Sequence, residues 1–262
     1  MTRSLNAAGT GMVAQQYNLD TIANNLANVN TTSFKQQRAE FTDIFYQTFK
    51  ASGAGNGGNA QQPLTLQVGL GAKFSASSTN FANGPLQSTG NPLDFAINGE
   101  GFFQVELTNG RVGYTRDGSF KRDVNGLLVT SDGYPIQPAI TIPAGSTAIS
   151  VSEGGVVSAI LPGQNEPQEV GTITLALFAN PAGLTRVGQN IYEAGGASGD
   201  PQLVNPAEEG AGRLQSGFLE GSNVQVVEEM VRMILAQRAY EINSKALISA
   251  DEMLSILNNL KR

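Results

Sequence analysis

The sequence predicts an α+β protein, with an N- and a C-terminal helix forming a coiled-coil-like layer and a many-stranded antiparallel β-domain inserted between them. Three observations predict it. Apolar residues recur three and four apart near both ends of the chain, the spacing of helices packed lengthwise. The middle is cut into short apolar runs by Asn-Gly and Asp-Gly pairs, which tolerate positive φ and favour tight hairpins. The composition suits a packed chain with little charge: 262 residues, 40% hydrophobic, 15% charged, with 31 glycines.

Residues 4–30 read as one helix. Its seam is Leu5, Ala8, Met12, Gln15, Leu19, Ile22, Leu26 and Val29, with Gln15 the polar break. At 1.5 Å per residue it spans about 40 Å. Residues 31–49 carry Phe34, Phe41, Phe45, Tyr46 and Phe49; Phe41, Phe45 and Phe49 are four apart, which suits a short second helix. Ala51 to Pro63, "ASGAGNGGNAQQP", is Gly-rich and reads as a linker that forms no regular element by itself. From about Leu64 to Gln215 the period changes. Asn98-Gly99, Asn109-Gly110, Asp117-Gly118, Asn125-Gly126 and Asp132-Gly133 fall 7 to 11 residues apart, so the runs between them read as successive antiparallel strands. Runs such as "AISVSE", "GVVSAI", "GTITLALF" and "NIYEAG" continue the pattern.

Residues 223–260 return to helix, with Ser222 or Asn223 offering an N-cap. Val226, Met233, Tyr240, Leu247 and Leu254 are each seven apart. A second stripe runs through Ala236, Ala239, Ala246, Ala250, Met253, Leu257 and Leu260. Together they make an apolar face wider than one partner helix requires. Glu228–Arg232 and Glu241–Lys245 stand four apart in the favourable acid-first order. The expected parts are 1–45, the N-terminal helical part of an inner domain; 46–85, a Gly-rich extended or hairpin segment; 86–215, the β-domain; and 216–262, the C-terminal helix of the inner domain.

Composition excludes several functions. The chain has no Cys, no His and no Trp, so disulfides, thiol nucleophiles, His bases and Cys/His metal sites are absent. Net charge is −6 without a basic block, against a nucleic-acid partner. No apolar run approaches the ~18 residues of a membrane span, and "MTRSLNAAGTGMVAQQ" lacks the unbroken apolar region of a cleavable secretory signal. Without His or Cys, catalysis would need Ser or Thr with Lys, or paired carboxylates. "RDGSF" sets Asp117 near Ser119, but Asp-Gly there reads as a hairpin turn. Asp123, Asn125 and Asp132 are oxygen ligands, yet only Asp123 and Asn125 fit a calcium loop. "GLGAKF" lacks the rest of a phosphate-binding loop. No catalytic, cofactor or metal residue is assigned.

The helical seams remain, and with them an anomaly of charge. Between Arg3 and Lys35 the only charged residue is Asp20. Asn18, Asn24, Asn25 and Asn28 are poor helix formers. An amide buried against another subunit can be hydrogen-bonded at far lower desolvation cost than a charge. The helix is therefore expected to be surrounded by protein in a polymer of many copies. The expected assembly residues are Leu5, Met12, Leu19, Ile22, Asn25, Leu26, Asn28, Val29, Met233, Tyr240, Leu247 and Leu254.

The same residues carry a likeness. "IANNLANVNTTSFK", with Leu5, Asn6, Ala8 and Gly11–Met12 ahead of it, resembles the N-terminal signature of the bacterial flagellar rod and hook family. "INGEGFFQV", "YTRDGSF" and "NGLLVTSDGYPIQP" are similar to its β-domain segments. "GFLEGSNVQVVEEMVRMILAQRAYEINSKAL" resembles its C-terminal signature, and "PAITIPAG" and "RAYEINSKA" are most like the subunit of the distal rod. The resemblance implies a structural subunit of a rigid helical tube that crosses the periplasm in the basal body. Such a tube transmits motor torque to the hook and provides a channel for exported subunits. It implies self-assembly and contacts with proximal rod proteins, hook protein and the outer-membrane and peptidoglycan ring proteins. Export would use the flagellar type III apparatus, with no cofactor, no nucleic acid and no membrane insertion. In the family, the segment corresponding to Ala51 to Pro63 stiffens the rod. The rival readings are a proximal rod subunit and a secreted β-rich binding module.

Overall fold

The structure, a computed structural model, describes residues 2–50, 66–108, 110–163 and 166–259. It is α+β, with a helix near each end and antiparallel strands between. The chain divides into two compact units, one of Met1–Ala27, Gln37–Thr79 and Gln225–Arg262, the other of Asn28–Gln36 and Asn80–Val224.

The first unit holds both helices, α1 (Thr2–Ala27) and α2 (Val226–Asn259), with strands β1 (Gln37–Asp43), β2 (Tyr46–Lys50), β3 (Leu66–Gly69) and β4 (Ala72–Thr79). The helix expected over 4–30 stops at Ala27. Beyond it Asn28, Asn30, Thr31 and Thr32 favour local side-chain bonds over helix; Thr31 Oγ1 donates to Asn28 Oδ1 at 3.1 Å, and Thr31 N–H to Asn28 O at 3.1 Å.

The short helix expected within 31–49 is absent. Its residues form β1 and β2, which pair antiparallel with β4 and β3. A spacing of four keeps Phe41, Phe45 and Phe49 on one side of an extended chain as well as of a helix, and long-range partners decided between them. Phe41 stands opposite Phe74, the rings edge-on at 6.2 Å, and Phe74 stacks on Tyr17 of α1 at 5.0 Å. The linker reading of Ala51 to Pro63 lies outside the described residues.

The second unit is the β-rich one. Its largest sheet has seven strands, in the order Thr185–Gly188, Ile191–Glu193, Val112–Thr115, Phe102–Glu106, Leu175–Leu177 and Gln202–Val204, with Ile136–Gln137 also paired to Phe102–Glu106. A separate meander joins Ala148–Val151, Val156–Ile160 and Gln168–Thr172. One core gathers Phe95, Phe103, Phe120, Ile136, Ile173 and Leu214, with others. A second gathers Phe102, Tyr114, Phe178 and Tyr192, ring against ring at 4.8 Å for Tyr114 and Phe178.

The Gly dipeptides divide. Gly110, Gly126 and Gly133 take positive φ at reversals between paired segments, as the turn chemistry predicts, although Asn109 is outside the described residues. Asn98-Gly99 and Asp117-Gly118 make no hairpin. The strand Phe95–Asn98 pairs with Arg213–Ser216 rather than with Phe102–Glu106. Gly99 is needed for its φ of +128° and because a Cβ there would meet Gly212 Cα at 2.7 Å. Gly118 passes so close to the Phe95 carbonyl that a Cβ would overlap it. These glycines serve backbone approach between distant strands, which local spacing does not reveal.

Candidate assembly interface

The helices of the first unit run antiparallel, since Asn25 of α1 reaches Glu229 near the start of α2 and Gly11 lies beside Asn243 further along. Small residues let them approach: Ala8 and Ala14 on α1 and Ala236 and Ala250 on α2 are buried. Asn25, 1% exposed, is the polar centre of this packing. Its Nδ2 donates to Gln37 O at 2.8 Å and Glu229 Oε2 at 3.1 Å, and its Oδ1 accepts the Gln37 N–H at 2.9 Å. Glu229, fully buried, also accepts from Arg232 at 3.1 Å. The Asn25 amide, assigned from sequence to a neighbouring copy, is thus satisfied inside its own chain. A single amide can donate and accept at once, which suits it to join a helix, a strand and a second helix.

The other assembly residues fall as follows. Ile22 is buried; Leu5, Met12, Leu19, Leu26, Asn28, Val29, Met233, Leu247 and Leu254 are half-buried; Tyr240 is exposed. Val29 and Asn28 lie past the end of α1, in the second unit. At 100° per residue, Leu5, Met12, Leu19 and Leu26 form one stripe, beside the buried Ile22 and turned away from the buried Ala14 and Asn25. The expected N-cap is used otherwise. Neither Ser222 nor Asn223 caps α2, whose first bond runs from Glu229 N–H to Gln225 O at 3.0 Å. Of the two expected ion pairs, Glu228–Arg232 forms at 3.5 Å, whereas Glu241 is held by Arg238 at 2.9 Å.

Sequence reading missed an exposed apolar ridge on α2. Val227, Met230, Val231, Ile234 and Leu235, on the outward side of α2, are 51–74% exposed. The signal was present in "VVEEMVRMIL": at 100° per residue its apolar residues cover an arc of about 200°, with Glu228, Glu229 and Arg232 on the remainder, a face far wider than one partner helix requires. A second apolar feature lies elsewhere in the same unit. A groove of about 830 Å³ runs between α1 and the turn into β4, lined by Leu5, Val13, Tyr17, Ile44, Leu70 and Phe74 among others.

The second unit encloses a charged cluster. Lys35 Nζ donates to Glu220 Oε1 at 2.6 Å and Ala82 O at 2.9 Å; Arg116 Nε donates to Glu220 Oε2 at 3.2 Å, and its Nη2 to both Asn83 Oδ1 and Gly99 O. The Lys35 and Glu220 side chains are wholly buried. Burial first, and then the Arg116 guanidinium, pull the Lys35 ammonium from the ordinary 10.5 to about 8, against the Glu220 carboxylate, which raises it. A carboxylate saturated by two cations and the Gly84 N–H is a structural device, not a reagent. Asp117 likewise accepts the Ser119 N–H at 3.0 Å as a local turn. Among the described residues no three acidic side chains converge as metal ligands, and no helix is long and apolar enough to cross a membrane.

Buried polar junctions, a long outward apolar helix face and an apolar groove together define a structural protein built to be covered by other protein. Comparison with known proteins gives the family. Three family models match in chain order: Flagella basal body rod protein over 5–35, Flagellar hook protein FlgE/F/G D1 domain over 96–159, and Flagellar basal body rod FlgEFG protein C-terminal over 215–260. The chain is 51% identical over 264 residues to the flagellar basal-body rod protein FlgG of Borreliella burgdorferi, covering 100% of both. It is 43% identical to FlgG of Caulobacter vibrioides over 260 residues and 99% of both chains, and 40% identical to FlgG of Bacillus subtilis over 267 residues and 100% of both. The chain belongs to the flagellar basal-body rod and hook family: it is a structural component of the basal body, not an enzyme.

Proposed function

We propose that the chain is the subunit of the distal flagellar rod, one of many copies in a rigid helical tube that carries motor torque to the hook and encloses a channel for exported subunits. Full-length likeness to FlgG proteins supports the rod assignment. The observation that carries the polymer reading is the outward face of α2, where five large apolar residues are more than half exposed. Each would contribute on the order of 1.5–3 kcal/mol if fully buried. An open helical polymer needs two different patches on every copy, and the α2 ridge and the α1–β4 groove offer two, to be filled by a second and a third copy.

On this reading α1 and α2 build a coiled-coil-like inner layer with residues 1–45 and 216–262, and the β-domain (86–215) is inserted between them. The half-buried stripe Leu5, Met12, Leu19 and Leu26, with Met233, Tyr240, Leu247 and Leu254, completes its contacts with neighbouring copies. Proximal rod, hook and ring proteins are its partners, and the flagellar type III apparatus exports it.

Electron microscopy of basal bodies from a strain lacking the gene tests this. Truncated rods without hooks, restored by complementation, are expected, and the length of the stub separates a distal from a proximal subunit. Full-length rods bearing hooks in that strain would overturn the assignment.

A further inference from the structure

The chain passes between its two units four times: after Ala27, after Gln36, before Asn80 and after Val224. Within the β-rich unit, each of the last three passages is bonded to the other two. The side chain of Asn223 does most of this. Its Oδ1 accepts the Gln36 N–H at 2.8 Å, and its Nδ2 donates to the carbonyls of Asn80 and Ala82, each at 2.9 Å. The backbone adds Asn80 N–H to Gln36 O at 2.9 Å and Asn223 N–H to Phe34 O at 3.3 Å. Beside it, Lys35 Nζ joins Ala82 O to Glu220 Oε1, and the same Glu220 oxygen accepts the Gly84 N–H at 2.8 Å. One amide and one buried ion pair therefore reach all three strands.

Asn223 stands just before α2, where an Asn ordinarily caps the helix. Here its side chain is committed away from the helix. A carboxylate in its place would lack the donor for Asn80 and Ala82, and an ammonium would lack the acceptor for Gln36. The three passages demand a group that does both.

We propose that Asn223, with Lys35–Glu220, is a three-way clasp that joins three of the four passages into one mechanical body, so that force arriving along any of the three is shared among them. The existence of the clasp stands on its bonds alone; its use in carrying torque rests on the rod reading above.

Hydrogen exchange on the purified full chain tests the clasp. In Asn223→Ala the amides of Gln36 and Asn80 are expected to exchange about tenfold faster, because their local opening no longer breaks the shared bonds, while those of Phe102–Glu106 keep their rates. Asn223→Asp, which retains the acceptor, should accelerate Asn80 and leave Gln36 slow. Unchanged rates at Gln36 and Asn80, or equal acceleration in Phe102–Glu106, would overturn it. In cells, a bead on the hook should show greater torsional compliance in Asn223→Ala; unaltered compliance would refute the load-sharing role. Failure of the rod reading itself would show separately, as full rods in the strain lacking the gene.

Discussion

At the scale of single residues, two buried polar groups decide most. Asn25 joins α1, β1 and α2 through three hydrogen bonds. Asn25→Ala removes two hydrogen bonds to Gln37 and one to Glu229, so a loss of about 1–3 kcal/mol is expected, read as a lower urea midpoint. Lys35 gives a pH signature. Its folded pKa, about 8, lies below the ordinary 10.5, so between those values the unfolded chain binds more protons and stability rises with pH. Below about 8 both states are protonated and the cost of the buried charge is present in full. The urea midpoint should therefore climb from pH 8 to 9.5, and Lys35→Met should flatten that climb. Above pH 10 the trend is opposed, because burial raises the Tyr114 and Tyr192 hydroxyls and the folded state then resists their ionisation. A midpoint that fell between pH 8 and 9.5 would contradict the burial argument.

At the scale of elements, α2 has two faces with opposite demands. Its inner face is small and closed, with Ala236 3% exposed, and Ala236→Asp should disrupt the helix pair by burying an unpaired charge. Its outer face is open in the single chain. Leu235→Asp, at a position 64% exposed, should shift monomer stability by no more than about 0.5 kcal/mol and yet abolish polymerisation, since assembly would desolvate the carboxylate. Light scattering of the purified variant, beside its circular dichroism, separates these outcomes; a Leu235→Asp chain that still polymerised would remove α2 from the interface. Much of the element map was legible beforehand. The periods of three and four, and the hairpins at Gly110, Gly126 and Gly133, were local signals. The strands β1 and β2 were not, because a spacing of four does not distinguish helix from sheet when the partner lies some thirty residues away. Asn98-Gly99 and Asp117-Gly118 misled for the same reason, being set by distant backbone at Gly212 and Phe95.

At the scale of the whole molecule, charge is the guide. A chain with 15% charged residues and a bare apolar ridge on a terminal helix is incomplete as a monomer. Purified chain is therefore expected to polymerise with increasing concentration, and a persistent monomer that saturably bound a small ligand would favour the binding-module reading. Family, fold class and terminal helices were determined by the sequence itself, because they are written in local periodicity and contiguous motifs. The tertiary structure alone decided that Asn25 turns inward, that Asn223 gathers three strands instead of capping α2, and that Lys35 lies beneath Glu220, 185 residues away. The physical reason is that a buried polar group is defined by the partners it finds, and those partners come from parts of the chain that no local spacing connects.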